Sequence, residues 1–219
     1  MMHIDGSQGE GGGQVLRTSL ALSLVTGRAF EITRIRAGRK RPGLGRQHLT
    51  AAQAAARVGA ARADGLALGS QRLTFAPQTV NPGTYHFNVG TAGSATLVLQ
   101  TVLPPLLLAD GPSTLVLEGG THNPHAPPFD FLQKAFLPLV GRMGPRVTVE
   151  LSRRGFYPAG GGRFVAHIEP ALKLTPIDLL ECGTICQRRA IAIVESLPRH
   201  IAEREVEVLR TRLGLGRAR

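Results

Sequence analysis

Hydrophobic and polar positions along this chain alternate between two periods, and the switches mark its elements. Residues 1–4 form a short apolar run that leads into Asp5-Gly-Ser-Gln-Gly-Glu-Gly-Gly-Gly-Gln-Val-Leu-Arg17, a segment with five glycines. Residues 14–25 then repeat their apolar side chains at helical spacing and stop at Gly27. Residues 29–35 alternate as a strand does. Residues 42–57 read as a helix with Gly59 as its stop, and two strand-like pieces follow at 61–67 and 72–76. Asn81-Pro82-Gly83 is a turn or linker.

The same order then recurs. Strand 84–89, small-residue loop 90–94, helix 97–109, strand 114–118, helix 129–143 and strand 147–151 retrace the first series. Leu16-Arg17-Thr18 aligns with Leu99-Gln100-Thr101. This predicts an α+β chain built from repeated β-α-β-α-β-β units of about 80 residues each. The first unit is expected over 1–80 and the second over 81–146, its last strands running to about 151. A third, incomplete unit is expected over 147–180. Its strands, 147–151 and 163–168, flank a second glycine loop at 155–162, where Pro158 excludes a regular helix. Beyond Pro176 the character changes: a strand at 189–194, a helix at 198–213 stopped by Gly214, and a short basic tail at 215–219.

Composition narrows the function. The chain has 219 residues and 42% hydrophobic content, enough for a packed core. A formal charge of +11 suits a polyanionic partner such as RNA, DNA or a nucleotide. Aromatic residues make up only 5%, with no Trp, so recognition by stacking many bases is not expected. The apolar run 97–109 is short and interrupted by Pro104-Pro105, which argues against a membrane span. The N-terminus has no basic-apolar-cleavage pattern, and Cys182 and Cys186 read as reduced thiols; a cytoplasmic protein is expected.

Candidate chemistry gathers in the first half. A strand, a glycine loop and a helix start leave backbone N–H groups free at the positive end of the helix dipole, a suitable place for an anion. Arg17 lies within about a turn of that start. The loop lacks the Gly-Lys-Ser/Thr of a Walker motif and the G-x-G-x-x-G dinucleotide spacing. A tight turn without ligand is the plain alternative. Residues 34–46 concentrate Arg34, Arg36, Arg39, Lys40, Arg41 and Arg46 ahead of Gln47 and His48. Guanidinium forks grip phosphate oxygens in pairs, although a solvated face is the common meaning of a charge run. Like charges around His48 are expected to keep it neutral. Glu10 suits a divalent cation, a ribose hydroxyl, or the helix start itself. His122-Asn-Pro-His125 reads as a loop, and Asp130 as a charge near a helix cap between Phe129 and Phe131.

Together, the Asp5 to Arg17 segment, Arg36-Ala-Gly-Arg39, Pro42-Gly-Leu44, Gln47-His48, Gly93-Ser94 with Gln100-Thr101, and Arg154-Gly-Phe-Tyr-Pro-Ala-Gly-Gly-Gly162 closely resemble the RNA 3′-terminal phosphate cyclases. The resemblance runs to about Leu213. It implies three β-α-β-α-β-β repeats with a smaller inserted α/β domain, which would begin near residue 181 and be incomplete at 219. It implies ATP and a divalent metal (Mg or Mn) as cofactors and RNA 3′-phosphate ends as the partner. A histidine takes AMP from ATP, AMP passes to the RNA 3′-phosphate, and the neighbouring 2′-hydroxyl closes a 2′,3′-cyclic phosphate as AMP leaves. Carried over by position, Glu10 resembles the metal contact. Arg17, Arg36, Arg39, Gln47 and His48 resemble the contacts to the phosphate and RNA end. Gln100 resembles a nucleotide contact, with Pro127 and Phe131 beside the adenine. The nucleophilic histidine of the family falls in its last third, and none of the seven histidines here occupies a matching motif. A chain inactive on its own is therefore expected. The alternative is a non-catalytic RNA-binding relative of the kind used in RNA processing or ribosome assembly. A transferase of the enolpyruvyl type, with similar repeat architecture, ranks below both.

Overall fold

The structure, a computed structural model, describes residues 1–214. It divides into two compact units, Met1–Ile177 and Asp178–Arg219. The first holds two four-stranded mixed sheets. Strands β1 (Met2–Asp5), β2 (Phe30–Thr33), β3 (Arg62–Asp64) and β4 (Leu73–Ala76) form one, in the order β1-β2-β4-β3. Strands β5 (Thr84–Asn88), β6 (Ser113–Gly119), β7 (Arg146–Arg153) and β8 (Gly162–Glu169) form the other, in the order β5-β6-β8-β7. In each sheet the first pair is parallel and the other two are antiparallel.

Helices α1 (Gly13–Thr26) and α2 (Arg46–Val58) belong to the first sheet, and α3 (Ala95–Leu106) to the second. The second sheet also carries α4 (Phe129–Phe131), a π-helical turn (Leu132–Phe136) and α5 (Leu137–Gly141) as one continuous run. A shift of 83 residues, the separation of Arg17 and Gln100, places β1 within β5, β2 within β6, and α2 on Phe129–Gly141. The helix expected at 129–143 thus forms, with a π turn replacing its centre.

Strands 147–151 and 163–168, expected to open a third unit, take a different place. As β7 and β8 they pair with each other in the second sheet, and β8 runs antiparallel to β6 from Ser113↔Ile168 to Gly119↔Gly162. The alternating burial of β8, with Phe164, Ala166 and Ile168 inward, leaves room for its inner face only over that core. The second sheet therefore extends to Glu169. Its closing hairpin has eight residues per strand against three and four in the first sheet, which hid the equivalence in the sequence.

Each sheet covers one face with helices and turns the other to solvent. In β5, Tyr85 and Phe87 point inward while His86 and Asn88 are exposed. Helix α2 lies between the two cores. Ala51, Ala54 and Val58 join the core of the second sheet, and Ala52 and Ala55 that of the first. All four alanines are fully buried, because only a methyl side chain lets helices pack closely on both sides at once. Gly27 ends α1 in the left-handed conformation, as its position promised.

In the second compact unit, α6 (Arg199–Leu213) follows Pro198 and ends at Gly214 in the left-handed conformation. The strand expected at 189–194 does not form. A strand needs a hydrogen-bonding edge, and no strand lies among the described residues of this unit. The basic tail expected at 215–219 lies outside the described residues. No described helix is long and apolar enough to cross a membrane.

Candidate anion-binding site

Three helices of the first compact unit bring their N-termini to one cavity of about 1150 Å³. Gly12, Gly13, Gln14 and Val15 line it from α1, Gln47 and His48 from α2, and Ser94 and Leu97 from α3. Gly12 and Gly45, the caps of α1 and α2, have no side chain to satisfy the first N–H groups, and neither first turn is acidic. Those donors stay available to a ligand, and the dipoles add positive potential. Ser94 caps α3 through its hydroxyl, which accepts from the Leu97 N–H. Its own N–H donates to Gln47 Oε1 at 2.7 Å and ties α2 to α3.

Two loops build the cavity floor back to back. The Gly38 N–H donates to the Gly11 carbonyl at 3.1 Å, and a Cβ on Gly11 would lie 2.7 Å from Gly38 N. Gly11 also has φ +54°, a conformation side chains resist. The loop from β2 carries Arg36, itself at φ 56°, and its guanidinium donates to the carbonyls of Arg41 and Gly43 at 3.0 and 2.8 Å. Residues 34–39 thus fold into a fixed hook that turns Arg36 and Arg39 to the cavity.

Arg17 sits at the centre of the site. It is 7% exposed, donates to Gln14 Oε1 at 2.6 Å and to Gln100 Oε1 at 3.2 Å, and has no carboxylate partner among the described residues. Burial pulls its pKa down to about 10, so it stays charged. A buried cation without a counter-ion is costly, and a bound anion removes that cost. Arg36 is held below its usual pKa by burial and by Arg39. His48 is pushed down to about 3, by burial first and then by Arg36, Arg17 and Arg39. It is therefore neutral, and its Nδ1 is buried with no hydrogen-bond partner. Like charge, the expected cause, is the smaller one; the larger is burial, because Gly13 leaves just enough space for the ring. A Cβ there would lie 2.1 Å from His48 Nε2.

The sign of the pH effect follows. The unfolded chain takes up the His48 proton near pH 6.5, the folded chain only near 3. Stability from this group is full above pH 6.5 and declines as pH falls toward 3, by at most about 1.4 kcal/mol per pH unit. Denaturant titrations of the wild type and His48→Gln should diverge across this interval, the variant showing the flatter profile.

Of the residues singled out in the sequence, Glu10, Arg17, Arg36, Arg39, Gln47 and His48 all line the cavity. Glu10 is 88% exposed at its side chain and pairs with Arg39 at 3.2 Å. No group of three or more His, Cys, Asp or Glu side chains is placed to hold a metal among the described residues. The proposed nucleotide contacts are not among its lining residues. The Gln100 side-chain oxygen accepts from Arg17. The Pro127 carbonyl accepts from the Thr96 hydroxyl at 2.9 Å. Phe131 is 47% exposed and stacks on Phe136 at 6.4 Å, while Phe129 is core.

Asn123, Pro124, His125 and Ala126, from the segment expected as a loop, make a further wall of the cavity. His122 anchors it. Its Nε2 lies 3.0 Å from Asp130 and its Nδ1 2.8 Å from the Thr121 hydroxyl, whose oxygen accepts from the Gly155 N–H at 2.9 Å. The ring also stacks on Phe156 at 5.2 Å. Asp130 completes the chain by pairing with Lys134 at 2.5 Å. The spacing of His122 from Asp130 across a Pro-rich turn was the available sequence signal. This arrangement serves as a brace and leaves no metal-ligand geometry.

A profile of the RNA 3′-terminal phosphate cyclase family matches residues 8–211. The chain belongs to this family. An RNA 3′-terminal phosphate cyclase of Koribacter versatilis (strain Ellin345) is 60% identical over 215 residues, which is 98% of this chain and 61% of the relative. This member of the cyclase family thus spans less than two thirds of that relative's length. Among solved structures, an EPSP synthase from Acinetobacter baumannii aligns with 77% of this chain and 47% of its own, at TM-score 0.33 and 12% identity.

Proposed function

We propose that this chain carries the phosphate-gripping part of an ATP-dependent RNA 3′-phosphate cyclase. The observation that supports this most is buried Arg17, without a carboxylate partner among the described residues, set among free helix N-terminal amides beside an unpartnered His48 nitrogen. A phosphate monoester dianion supplies what each of these groups lacks. The cavity, at about 1150 Å³, is roomier than an ordinary small-ligand pocket and suits an RNA terminus together with nucleotide phosphates.

In the reaction, a histidine takes AMP from ATP as pyrophosphate leaves, and an oxygen of the RNA 3′-phosphate then attacks that AMP phosphorus, breaking its bond to the histidine nitrogen and making a phosphoanhydride. The 2′-oxygen then attacks the 3′-phosphorus, loses its proton, and AMP departs with the bridging oxygen. Arg17, Arg36 and Arg39 hold the terminal phosphate and neutralise charge that builds on its oxygens. Neutral His48 offers a hydrogen bond without adding a further charge. Gln47 keeps the starts of α2 and α3 together. Gln100 acts on the nucleotide side through its grip on Arg17. Glu10 is the single carboxylate on the cavity wall among the described residues, and it would hold a divalent cation brought there with the phosphates. That cation would neutralise phosphate charge.

The histidine that accepts AMP is not one of the seven in this chain. His48 lies deep with Nε2 against Gly13, and His125 is exposed at the cavity wall. Incubation of this polypeptide with α-labelled ATP should give no covalently labelled band at 23.3 kDa after denaturing electrophoresis. Such a band would overturn the assignment of roles. RNA carrying a 3′-phosphate should bind about tenfold or more tightly than the same RNA with a 3′-hydroxyl, the worth of one charge-assisted contact or more. Equal binding would remove the terminal-phosphate reading.

A further inference from the structure

Outside the cavity, the loop that builds it carries three more cations. From Ile32 to Ala63 the sequence has no Asp or Glu. Two of the cations there are answered from the glycine loop, Arg34 by Asp5 and Arg39 by Glu10. Lys40, Arg41 and Arg46 are exposed and have no carboxylate in salt-bridge reach among the described residues. An ordinary solvated face intersperses its signs, as α6 does with Arg199–Glu203 and Arg210–Glu207. Here a single sign accumulates next to a cavity that is itself positive, and that self-repulsion is relieved only by an external anion.

The backbone that carries these side chains is also held in place. The Gly43 N–H donates to Ile35 at 2.7 Å, Leu44 to Ser70 at 2.9 Å, and Gly69 back to Leu44 at 2.8 Å. The Arg41 carbonyl is gripped by Arg36, which lines the cavity. Pre-ordering of this kind lowers the cost of engaging an extended ligand. Residues 34–46 contain no aromatic side chain, so nothing in the segment stacks on bases.

We propose that Lys40, Arg41 and Arg46 form a track for the internucleotide phosphates of a single-stranded RNA whose 3′-terminal phosphate occupies the cavity. This rests on the reading of the cavity given above. The track contacts phosphates, so it is indifferent to base sequence but sensitive to RNA length.

The test compares wild type with the combined variant Lys40→Gln, Arg41→Gln, Arg46→Gln on two ligands, a 3′-phosphorylated dinucleotide and 3′-phosphorylated decamers of uridine or cytidine. All three positions are exposed, so the variant should melt within a degree or two of wild type. The decamers should lose about tenfold or more in affinity at low salt. Their log-log salt slope should fall by about 2, three single-strand phosphate contacts' worth. Dinucleotide affinity should stay within twofold, and the two decamers should behave alike. No loss on the decamers, or an equal loss on both lengths, overturns the track. A wild-type chain that binds the dinucleotide equally well with a 3′-hydroxyl overturns the cavity reading, and with it the register of the track. A decamer loss seen in that case identifies a basic RNA face unconnected with RNA ends.

Discussion

Arg17→Met should lower affinity for 3′-phosphorylated RNA by about 100-fold, the loss expected when one partner of a desolvated charge pair is removed. It should do so without lowering the melting temperature. The two effects have opposite origins. In the free protein the guanidinium is buried with two amide oxygens and no carboxylate among the described residues, and its charge is a burden that a methionine of similar length does not carry. Gln14 and Gln100 are both exposed, so water replaces the donors they lose. With ligand present, the same charge meets a phosphate at the start of α1. Fluorescence titration against 3′-phosphate and 3′-hydroxyl oligonucleotides, together with a thermal melt, separates the effects. A variant that melts well below wild type while retaining RNA affinity would make Arg17 a structural residue and refute its role as the anion's partner.

The second large effect is expected at Gly11. Gly11→Ala forces a side chain into the left-handed region and into the backbone of Gly38, 2.7 Å away, where nothing flexible can yield. The conformational part costs about 1–2 kcal/mol, and the overpacking adds about 1–3 kcal/mol. Because the contact joins the glycine loop to the hook that carries Arg36 and Arg39, phosphate affinity should fall with stability. Gly9→Ala is the control. Its φ is +62° but a Cβ there meets nothing within 4 Å, so only the conformational cost applies. Equal destabilisation of the two variants in urea would show that the Gly11–Gly38 contact matters little.

Much of the candidate site was legible because its residues are local in sequence. The glycine loop, Arg17, and the run from Arg36 to His48 sit in two short segments, and both reach the same cavity. What the sequence could not supply was the company each residue keeps. The Gln100 oxygen accepts from Arg17, because α1 and α3 occupy equivalent places beside the two sheets and meet there. Pro127 and Phe131 lie near the cavity wall in sequence but not among its lining residues, since the chain turns into α4 just after Pro128. The Asn123 to Ala126 wall was missed because His122 finds Asp130 only after the turn folds.

Local periodicity by itself determined most of the elements of the first compact unit, the α+β class and the recurrence of one β-α-β-α-β-β order, because period and glycine stops act within a few residues of themselves. Only the tertiary structure decided that β7 and β8 close the second sheet, since strand partnership is a choice among distant edges that period alone does not rank. The tertiary structure alone also decided that Arg17 is buried and His48 stays neutral far below its usual pKa. Desolvation depends on everything packed around a group, and helices from both sheets of the first compact unit supply those surroundings here.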